Sequence, residues 1–378
     1  EILRCLVGSE MCIRDSAWMV AIPLGNKKHV ASLGNKSVTK QRKELYIPYK
    51  NEYFLNPGHP STKEYLMKLV REVVTRYDID GVHFDYLRYP ENALRFPDNY
   101  DFRRYGKGRT LDQWRRDNIT DIVRYIYKGV KEIKPWVKVS TCPVGKYKDT
   151  SRYSSRGWNA FHAVYQDPQG WLGEGIQDQI YPMMYFRQNN FYPFALDWQE
   201  QSNGRQIIPG LGIYFLHPSE GNWVREDVDR QINFIRAHKL AGEGHYRAKF
   251  LMDNTQGVYD ELAENFYAYP ALQPAMPWLD NVPPTAPEEL RITETADGYT
   301  LLTWKAAKDN DPVNAPRYVI YASETYPVDT TKPENIIAQS VRGTEYVYTS
   351  LLPWDRKKCF AVTAIDRYGN EGKAVQGR

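Results

Sequence analysis

The sequence of 378 residues lacks the features that mark several classes of protein. Its four cysteines, at positions 5, 12, 142 and 359, follow neither a metal-binding nor a disulfide spacing. No apolar run approaches the roughly 18 residues of a membrane span, and no signal-peptide pattern follows Glu1. The net charge is only +4, with basic residues dispersed among acidic ones. We therefore expect no metal, no cofactor, no membrane span and no nucleic-acid partner.

Aromatic residues, in contrast, are abundant. They make up 14% of the chain, with 29 tyrosines and 10 tryptophans, which exceeds what an ordinary core needs. A surplus of aromatic side chains suits a protein that stacks on sugar rings or on other planar ligands. The length allows two domains and a large core.

The stretch from Tyr77 to Pro90, YDIDGVHFDYLRYP, predicts a buried strand that ends in a carboxylate. Val82 and Phe84 alternate with His83 and Asp85, which is the period of a strand. Chemistry in parallel α/β barrels lies where such strands end. Asp85 is therefore a candidate site residue, although an aspartate at a strand end also serves simply to cap the next loop.

The order of elements predicts a parallel α/β barrel over residues 17–279. Six units of strand and helix follow one another, and their lengths suit a (β/α)8 TIM barrel. One helix is predicted from Ser61 to Arg76 with a Ser61/Glu64 capping box, and the next begins with Thr110 and Gln113. The predicted strands of these units are 17–23, 82–85, 137–142, 178–186, 207–214 and 244–250, and a small additional strand is predicted at 53–56.

Two of the eight barrel units have no counterpart in this sequence. Residues 1–16 resemble a non-native extension and are too few to supply them, since one unit takes roughly 30 residues. A genuine short strand at residues 2–7 is the alternative. We expect a fragment with about six of eight units, whose first and last strands each lack a neighbour on one side.

A second domain is predicted after a Pro-rich linker at residues 280–287. From residue 288 to 378, strand-like alternation and turn signals replace the helical periods, which indicates an all-β sandwich. The run from PPTAP through LTWKA and YVIYA to CFAVTAIDRYGNEG resembles fibronectin type III domains. That resemblance makes Trp304 the core tryptophan, with Tyr318 and Phe360 beside it.

Six segments between residues 53 and 262 resemble, in the correct order, the glycosyl-hydrolase-like family 10. They are YFLNPGHP (53–60), YDIDGVHFDYLRYP (77–90), WRRDNI (114–119), IQDQIYPMMYF (176–186), PGLGIYF (209–215) and HYRAKFLMDNTQGVYDEL (245–262). The resemblance begins where the third strand of that family is expected. It implies a glycosidase in an extracytoplasmic setting that acts on bacterial or other polysaccharide, with peptidoglycan glycan strands favoured. A lipid anchor on the intact parent remains open.

The segment DGVHFD is also similar to the DGxDxD strand of family 18 chitinases. In those enzymes a glutamate two residues after the last aspartate protonates the glycosidic oxygen, whereas this chain has Leu87 there. Glycoside hydrolysis ordinarily needs two carboxylates, so Asp85 requires a partner. Asp253 is the best placed, although it also serves to cap a helix. Glu243, Glu174 and Asp178 precede their strands and so belong to the opposite face.

Candidate sugar contacts share positions at or near strand ends, where tyrosine rings stack on pyranoses and arginine forks bind carboxylate or acetamide oxygens. They are Asn56, His83, Arg88, Tyr89, Tyr185, Tyr214 and Arg247. The alternative roles are a turn or helix cap for Asn56, core filling for the tyrosines, ion pairing for the arginines and a structural hydrogen bond for His83.

Two functions of different class follow from these patterns. The first is a glycoside hydrolase that uses carboxylate acid/base catalysis. If its second carboxylate lies on the absent strands, this fragment of the enzyme is inactive. The second is a glycan-binding surface protein whose barrel has lost its chemistry.

Overall fold

The computed structural model describes residues 15–91, 93–152, 157–349 and 359–378. The chain forms two compact units, one that ends at Tyr259 and one that begins at Asp260. The strands of the first unit are β1 (Ser16–Val20), β2 (Pro23–Asn26), β3 (Tyr46–Tyr49), β4 (Glu52–Leu55), β5 (Gly81–Asp85), β6 (Lys138–Thr141), β7 (Gln179–Ile180), β8 (Gln206–Ile207), β9 (Gly210–Leu211) and β10 (Gly244–His245). The α-helices are α1 (Lys27–Ser32), α2 (Val38–Gln41), α3 (Ser61–Arg76), α4 (Asn99–Tyr105), α5 (Leu111–Ile133), α6 (Ala160–Ala163), α7 (Pro168–Gly173), α8 (Tyr192–Glu200), α9 (Arg225–Ala237), α10 (Ala248–Met252) and, across the division, α11 (Val258–Glu261).

A parallel sheet organises the first unit. Its strands run in the order β1-β5-β6-β7-β8, and β9 pairs in parallel with β10. A parallel bridge between Met183, just beyond β7, and Gly210 in β9 joins the two groups of strands. Within the described residues, β1 pairs only with β5 and β10 only with β9. The predicted succession of parallel strands and helices is thus present.

Strand β5 lies beside β1 and β6 and separates its side chains between two faces. Val82 and Phe84 are 0% and 2% exposed, whereas His83 and Asp85 line a cleft on the other face. The alternation read from the sequence is the cause, because successive side chains of a strand point to opposite faces. The prediction that His83 shares the face of Asp85 is confirmed.

The two long helices have the predicted ends. Helix α3 spans Ser61–Arg76, and α5 begins after Thr110, whose side chain accepts a hydrogen bond from the Gln113 N–H at 3.3 Å. The predicted capping box at Ser61 is wrong, since Pro60 occupies the N-cap of α3 and no side chain caps it. Helix α9 ends at Ala237, so Leu240 lies beyond the helix.

Proline shortens the strands near the end of the sheet. Residues 178–186 were predicted as one strand, but β7 has two residues, and Pro182 follows it without an N–H to donate. Pro209 likewise separates β8 from β9 inside the predicted strand 207–214. Residues 23–50 contain β2, α1, α2 and β3, and β4 joins β2 and β3 in a small antiparallel sheet.

The second unit contains two antiparallel sheets. Its strands are β11 (Glu288–Glu294), β12 (Thr300–Lys305), β13 (Arg317–Ser323), β14 (Ile336–Val341), β15 (Glu345–Tyr348), β16 (Cys359–Ile365) and β17 (Val375–Gly377). They run in the orders β11-β12-β15 and β14-β13-β16-β17. Trp304, Tyr318 and Phe360 are buried in one core that both sheets share, as predicted.

The boundary between the units differs from the predicted domain limits. The sequence assigns residues up to 279 to the barrel, whereas the structure divides at Tyr259. Residues beyond that point bond to the sandwich: the N–H of Met276 donates to the Tyr368 carbonyl at 2.8 Å, and Leu272 packs against a buried cluster of the four-stranded sheet. The predicted extension 1–16 lies outside the described residues except for Asp15 and Ser16, and Ser16 begins β1.

Gly145 is expected to be intolerant of a side chain. A Cβ atom there would lie 2.3 Å from the Met183 carbonyl oxygen, which belongs to the backbone and cannot move aside cheaply. We expect Gly145→Ala to lower the free energy of unfolding by about 1–3 kcal/mol, measured by urea denaturation. Gly173→Ala is the control, because a Cβ atom there meets nothing within 4 Å; equal stability of the two variants would contradict this expectation.

Candidate active site

A cleft of about 240 Å³ collects residues from β1, β5, β9 and β10 and residues that directly follow β6 and β7, and we call it the mouth cleft. Its lining residues are Trp18, His83, Asp85, Tyr86, Cys142, Tyr181, Met183, Tyr185, Gly210, Gly244, His245 and Tyr246. Asp85 and His245 are the last residues of their strands, and Cys142 directly follows β6. The cleft therefore lies toward the carboxyl ends of the parallel strands, where α/β barrels carry their chemistry.

The Asp85 carboxylate is 8% exposed and is held by the turn that follows β5. Its Oδ1 accepts the N–H of Tyr86 at 2.7 Å, and Tyr86 adopts a left-handed backbone with φ of 52°. Cys142 lies beside it: burial, reinforced by the charge of Asp85, raises the pKa of the Cys142 thiol far above its ordinary range. The thiol therefore stays protonated at neutral pH.

Aromatic rings form one wall of the mouth cleft. Tyr185 and Tyr246 stack with ring centroids 5.4 Å apart, and Trp18 meets Tyr246 edge-on at 6.4 Å. Trp18 is 58% exposed, so its indole face is available to a ligand. Tyr214 does not line the cleft but supports the wall from behind, at 5.7 Å from Tyr185. Exposed aromatic faces next to a carboxylate suit a sugar ring.

His83 lies deeper on the same face of β5 as Asp85. Its Nδ1 is 2.9 Å from the Ser140 hydroxyl, and its ring meets Tyr181 edge-on at 5.0 Å. Burial lowers the pKa of His83 to about 4, against a smaller opposing effect of the Asp85 charge. The imidazole is thus neutral at physiological pH and forms a structural hydrogen bond in the floor of the cleft.

The buried histidines are expected to make the first unit sensitive to acid. Burial lowers the pKa of both His83 and His245 to about 4. Between about pH 6.5 and pH 4 the unfolded chain binds protons that the folded chain does not, so the free energy of unfolding falls as pH falls, by up to about 3 kcal/mol per histidine. Urea denaturation across this range tests the effect. His83→Gln should reduce the slope, and an unchanged slope in that variant would contradict the assignment.

The structure separates the other predicted residues into two groups. Arg88 and Tyr89 line a neighbouring cleft of about 390 Å³, which we call the Arg88 cleft, and Tyr86 lines both clefts. Tyr89 is fully buried, and its ring packs against Phe96. Its full burial and this contact favour core filling, the alternative role given for the tyrosines, over the predicted sugar contact.

Asn56, Arg247 and Asp253 do not line either cleft. Asn56 is 3% exposed, donates to Asp101 at 2.8 Å and accepts the Gly58 N–H, which is the turn role given as its alternative. The guanidinium of Arg247 lies over the Phe250 ring, and Asp253 pairs with Lys249 one helical turn away.

Asp85 is the only carboxylate among the lining residues of the mouth cleft. Glu174 pairs with Arg124, and Asp178 is fully buried against Lys131 at 2.7 Å. Glu91 lines the Arg88 cleft and was missed by the sequence analysis, as were Cys142 and Tyr246. The sequence could have indicated Cys142, because it is the last residue of the predicted strand 137–142, but nothing in the spacing points to Tyr246. In the described ranges, no three His, Cys, Asp or Glu side chains are grouped as ligands of a metal ion.

The chain belongs to the glycosyl hydrolase-like 10 family, whose model matches residues 18–216. It is 29% identical over 371 residues to the glycosyl hydrolase YngK of Bacillus subtilis, covering 92% of this chain and 71% of that protein. It is 30% identical over 165 residues to the glycosyl hydrolase DigH of Escherichia coli, covering 40% of this chain and 38% of DigH. The predicted family is thereby confirmed.

Among solved structures, the chain is similar to the glycoside hydrolase domain of PgaB (BpsB) from Bordetella bronchiseptica. That similarity has a TM-score of 0.43 and 15% identity, over 66% of this chain and 74% of that one. Among the described residues, no helix combines the length and the apolar character that crossing a bilayer requires.

Proposed function

We propose that the protein is a glycoside hydrolase that acts on a bacterial polysaccharide outside the cytoplasm, with peptidoglycan glycan strands as the favoured substrate. The observation that carries the proposal is Asp85 itself. It ends a parallel strand in a cleft walled by Trp18, Tyr185 and Tyr246. Family membership supports the reaction class, and the names of YngK and DigH agree with it.

In this proposal Asp85 acts as one of two carboxylates. A sugar ring stacks on the aromatic wall, and Asp85 either protonates the leaving oxygen or assists the attacking group at the anomeric carbon. The second carboxylate must lie roughly 5 to 9.5 Å away, according to the stereochemical outcome. Asp253 remains the predicted partner, although its ion pair with Lys249 favours a structural role. We propose that the second unit is fibronectin type III-like and acts as a spacer or as a binding module.

The proposal is tested by incubating the protein with purified peptidoglycan glycan strands and with neutral chitin oligosaccharides. New reducing ends, with products identified by mass spectrometry, are the expected result. Binding of either glycan without release of any product would instead support the second candidate, a non-catalytic glycan-binding surface protein. That candidate is favoured by the lining of the mouth cleft, in which Asp85 is the one carboxylate that the described residues supply. If the protein neither binds nor cleaves either glycan, both candidate functions are overturned.

A further inference from the structure

Arg88 is a buried arginine for which the described residues supply no hydrogen-bond acceptor. Its side chain is 5% exposed, and its Nε is enclosed without a partner. Among the described residues, the carboxylate nearest to it is Glu91, whose Oε1 lies 3.9 Å from Nη2, beyond hydrogen-bond range. Removing a guanidinium from water without acceptors is costly. An acceptor supplied from outside the chain would offset that cost.

The same protein shows what a structural arginine requires. Arg115 is equally buried, but it donates twice to Asp98, at 2.6 and 2.9 Å, and also to two backbone carbonyls and a tyrosine hydroxyl. Arg88 makes no such bonds. The contrast indicates that Arg88 is not held in place for the sake of the fold.

Aromatic rings fix the orientation of the Arg88 guanidinium instead. Its Cζ lies 4.8 Å from the centroid of the Tyr86 ring and 5.6 Å from that of Trp158. Such contacts hold a guanidinium by its faces and leave its N–H edge free to bind in the plane. Burial lowers the pKa of Arg88, against the opposing effects of Tyr86, Glu91 and Asp85, but an arginine remains charged at neutral pH.

The space beside Arg88 is suited to a sugar residue. The Arg88 cleft has a volume of about 390 Å³, within the usual range of about 300–1,000 Å³ for small-molecule sites. Tyr49, Phe54 and Tyr86 supply ring surface, and Lys50 and Glu52 add one charge of each sign at its edge. Tyr86 also lines the mouth cleft, so one glycan chain can occupy both clefts and pass over Tyr86.

We propose that the Arg88 cleft binds an acidic sugar, through a carboxylate that accepts the guanidinium fork of Arg88, next to the unit held in the mouth cleft. This inference rests on the proposed function, because it takes the two clefts as neighbouring subsites for one glycan. The carboxylate has two possible sources, which are a uronic acid and a lactyl ether on an amino sugar. A neutral sugar would leave the buried charge unmatched, so Arg88 sets specificity.

The experiment compares three tetrasaccharides by isothermal titration calorimetry. One contains uronic acid, one contains lactyl-bearing amino sugars, and one is neutral chitotetraose. For the unaltered chain we expect at least one acidic ligand to bind about 10- to 100-fold more tightly than the neutral one, as charge-assisted bonds provide. Arg88→Gln should remove that preference by weakening the binding of the acidic ligand. Arg88→Lys keeps the charge but loses the guanidinium fork, so its preference for the acidic ligand should lie between those of the unaltered chain and Arg88→Gln. Arg103→Gln, at an exposed arginine, is the matched control.

Glu91→Gln provides an independent test that leaves Arg88 intact. Removing the negative charge 3.9 Å from the guanidinium should tighten binding of the acidic ligand and so widen its preference over the neutral one. The inference is overturned if acidic and neutral ligands bind the unaltered chain equally, or if neither Arg88→Gln nor Glu91→Gln changes the preference. Cleavage of glycans would then still uphold the proposed function. Failure of all three ligands to bind, together with no cleavage, would overturn both this inference and the proposed function. If the inference holds, the acidic tetrasaccharide that binds more tightly identifies the source of the carboxylate.

Discussion

Replacing Asp85 with asparagine is expected to lower the rate of glycan cleavage by at least about 100-fold, the usual contribution of one acid/base group. Asparagine keeps the size of the side chain and an oxygen that can still accept the Tyr86 N–H. It loses the ability to carry a proton or a negative charge in the cleft. Fold and glycan binding should therefore persist while chemistry is lost.

Three measurements separate this expectation from a loss of structure. Reducing-end release gives the rate, calorimetry with the same glycan gives the affinity, and thermal melting reports the fold. Asp253→Asn is the matched variant, since Asp253 lies outside both clefts beside Lys249. A comparable loss of rate in that variant would uphold the prediction that it is the second carboxylate. Cleavage at an unaltered rate by Asp85→Asn would refute the role proposed for Asp85.

Removing one partner of the Arg115–Asp98 pair is expected to destabilise the first unit by about 3–5 kcal/mol, the typical cost of leaving a buried charge unmatched. The two side chains are 1% and 0% exposed, and their closest contact is 2.6 Å. Arg115 also donates to the carbonyls of Ala93 and Phe96. It therefore holds residues 93–98, which follow the Arg88 cleft residues in the chain.

Urea denaturation followed by tryptophan fluorescence tests this with Arg115→Met and Asp98→Leu made singly and together. The double variant should be more stable than either single variant, because no uncompensated charge remains. Arg124→Met is the control: its contacts with Asp121 and Glu174 lie at the surface, so a change below about 1 kcal/mol is expected. Single variants as stable as this control would contradict the expectation.

The long elements could be read from the sequence because local signals determine them. Helix α3 runs over the predicted residues Ser61–Arg76, and Thr110 caps α5 as its hydroxyl and spacing indicate. Strand β5 was correct in position and in the face that it presents. Short strands were not, because β7, β8 and β10 have two residues each and form only through pairing with their neighbours.

The site was predicted only in part, since contacts between distant segments decide which strand-end residues meet. Asp85, His83 and Tyr185 do line one cleft, and Arg88 lines the next. Asn56 bonds to Asp101, 45 residues away, a contact that no local pattern reveals. Tyr246 joins the aromatic wall through Tyr185, 61 positions earlier in the chain (246 − 185).

The bonds made by residues 260–280 have a practical consequence for dissecting the molecule. A shortened protein that stops at residue 279 would carry an apolar tail, including Leu272 and Met276, stripped of its normal covering. The sandwich, produced alone from residue 288, would lose the same covering from its own side. A division near Tyr259 instead leaves Leu272 and Met276 with the sandwich, but the cut itself falls inside α11.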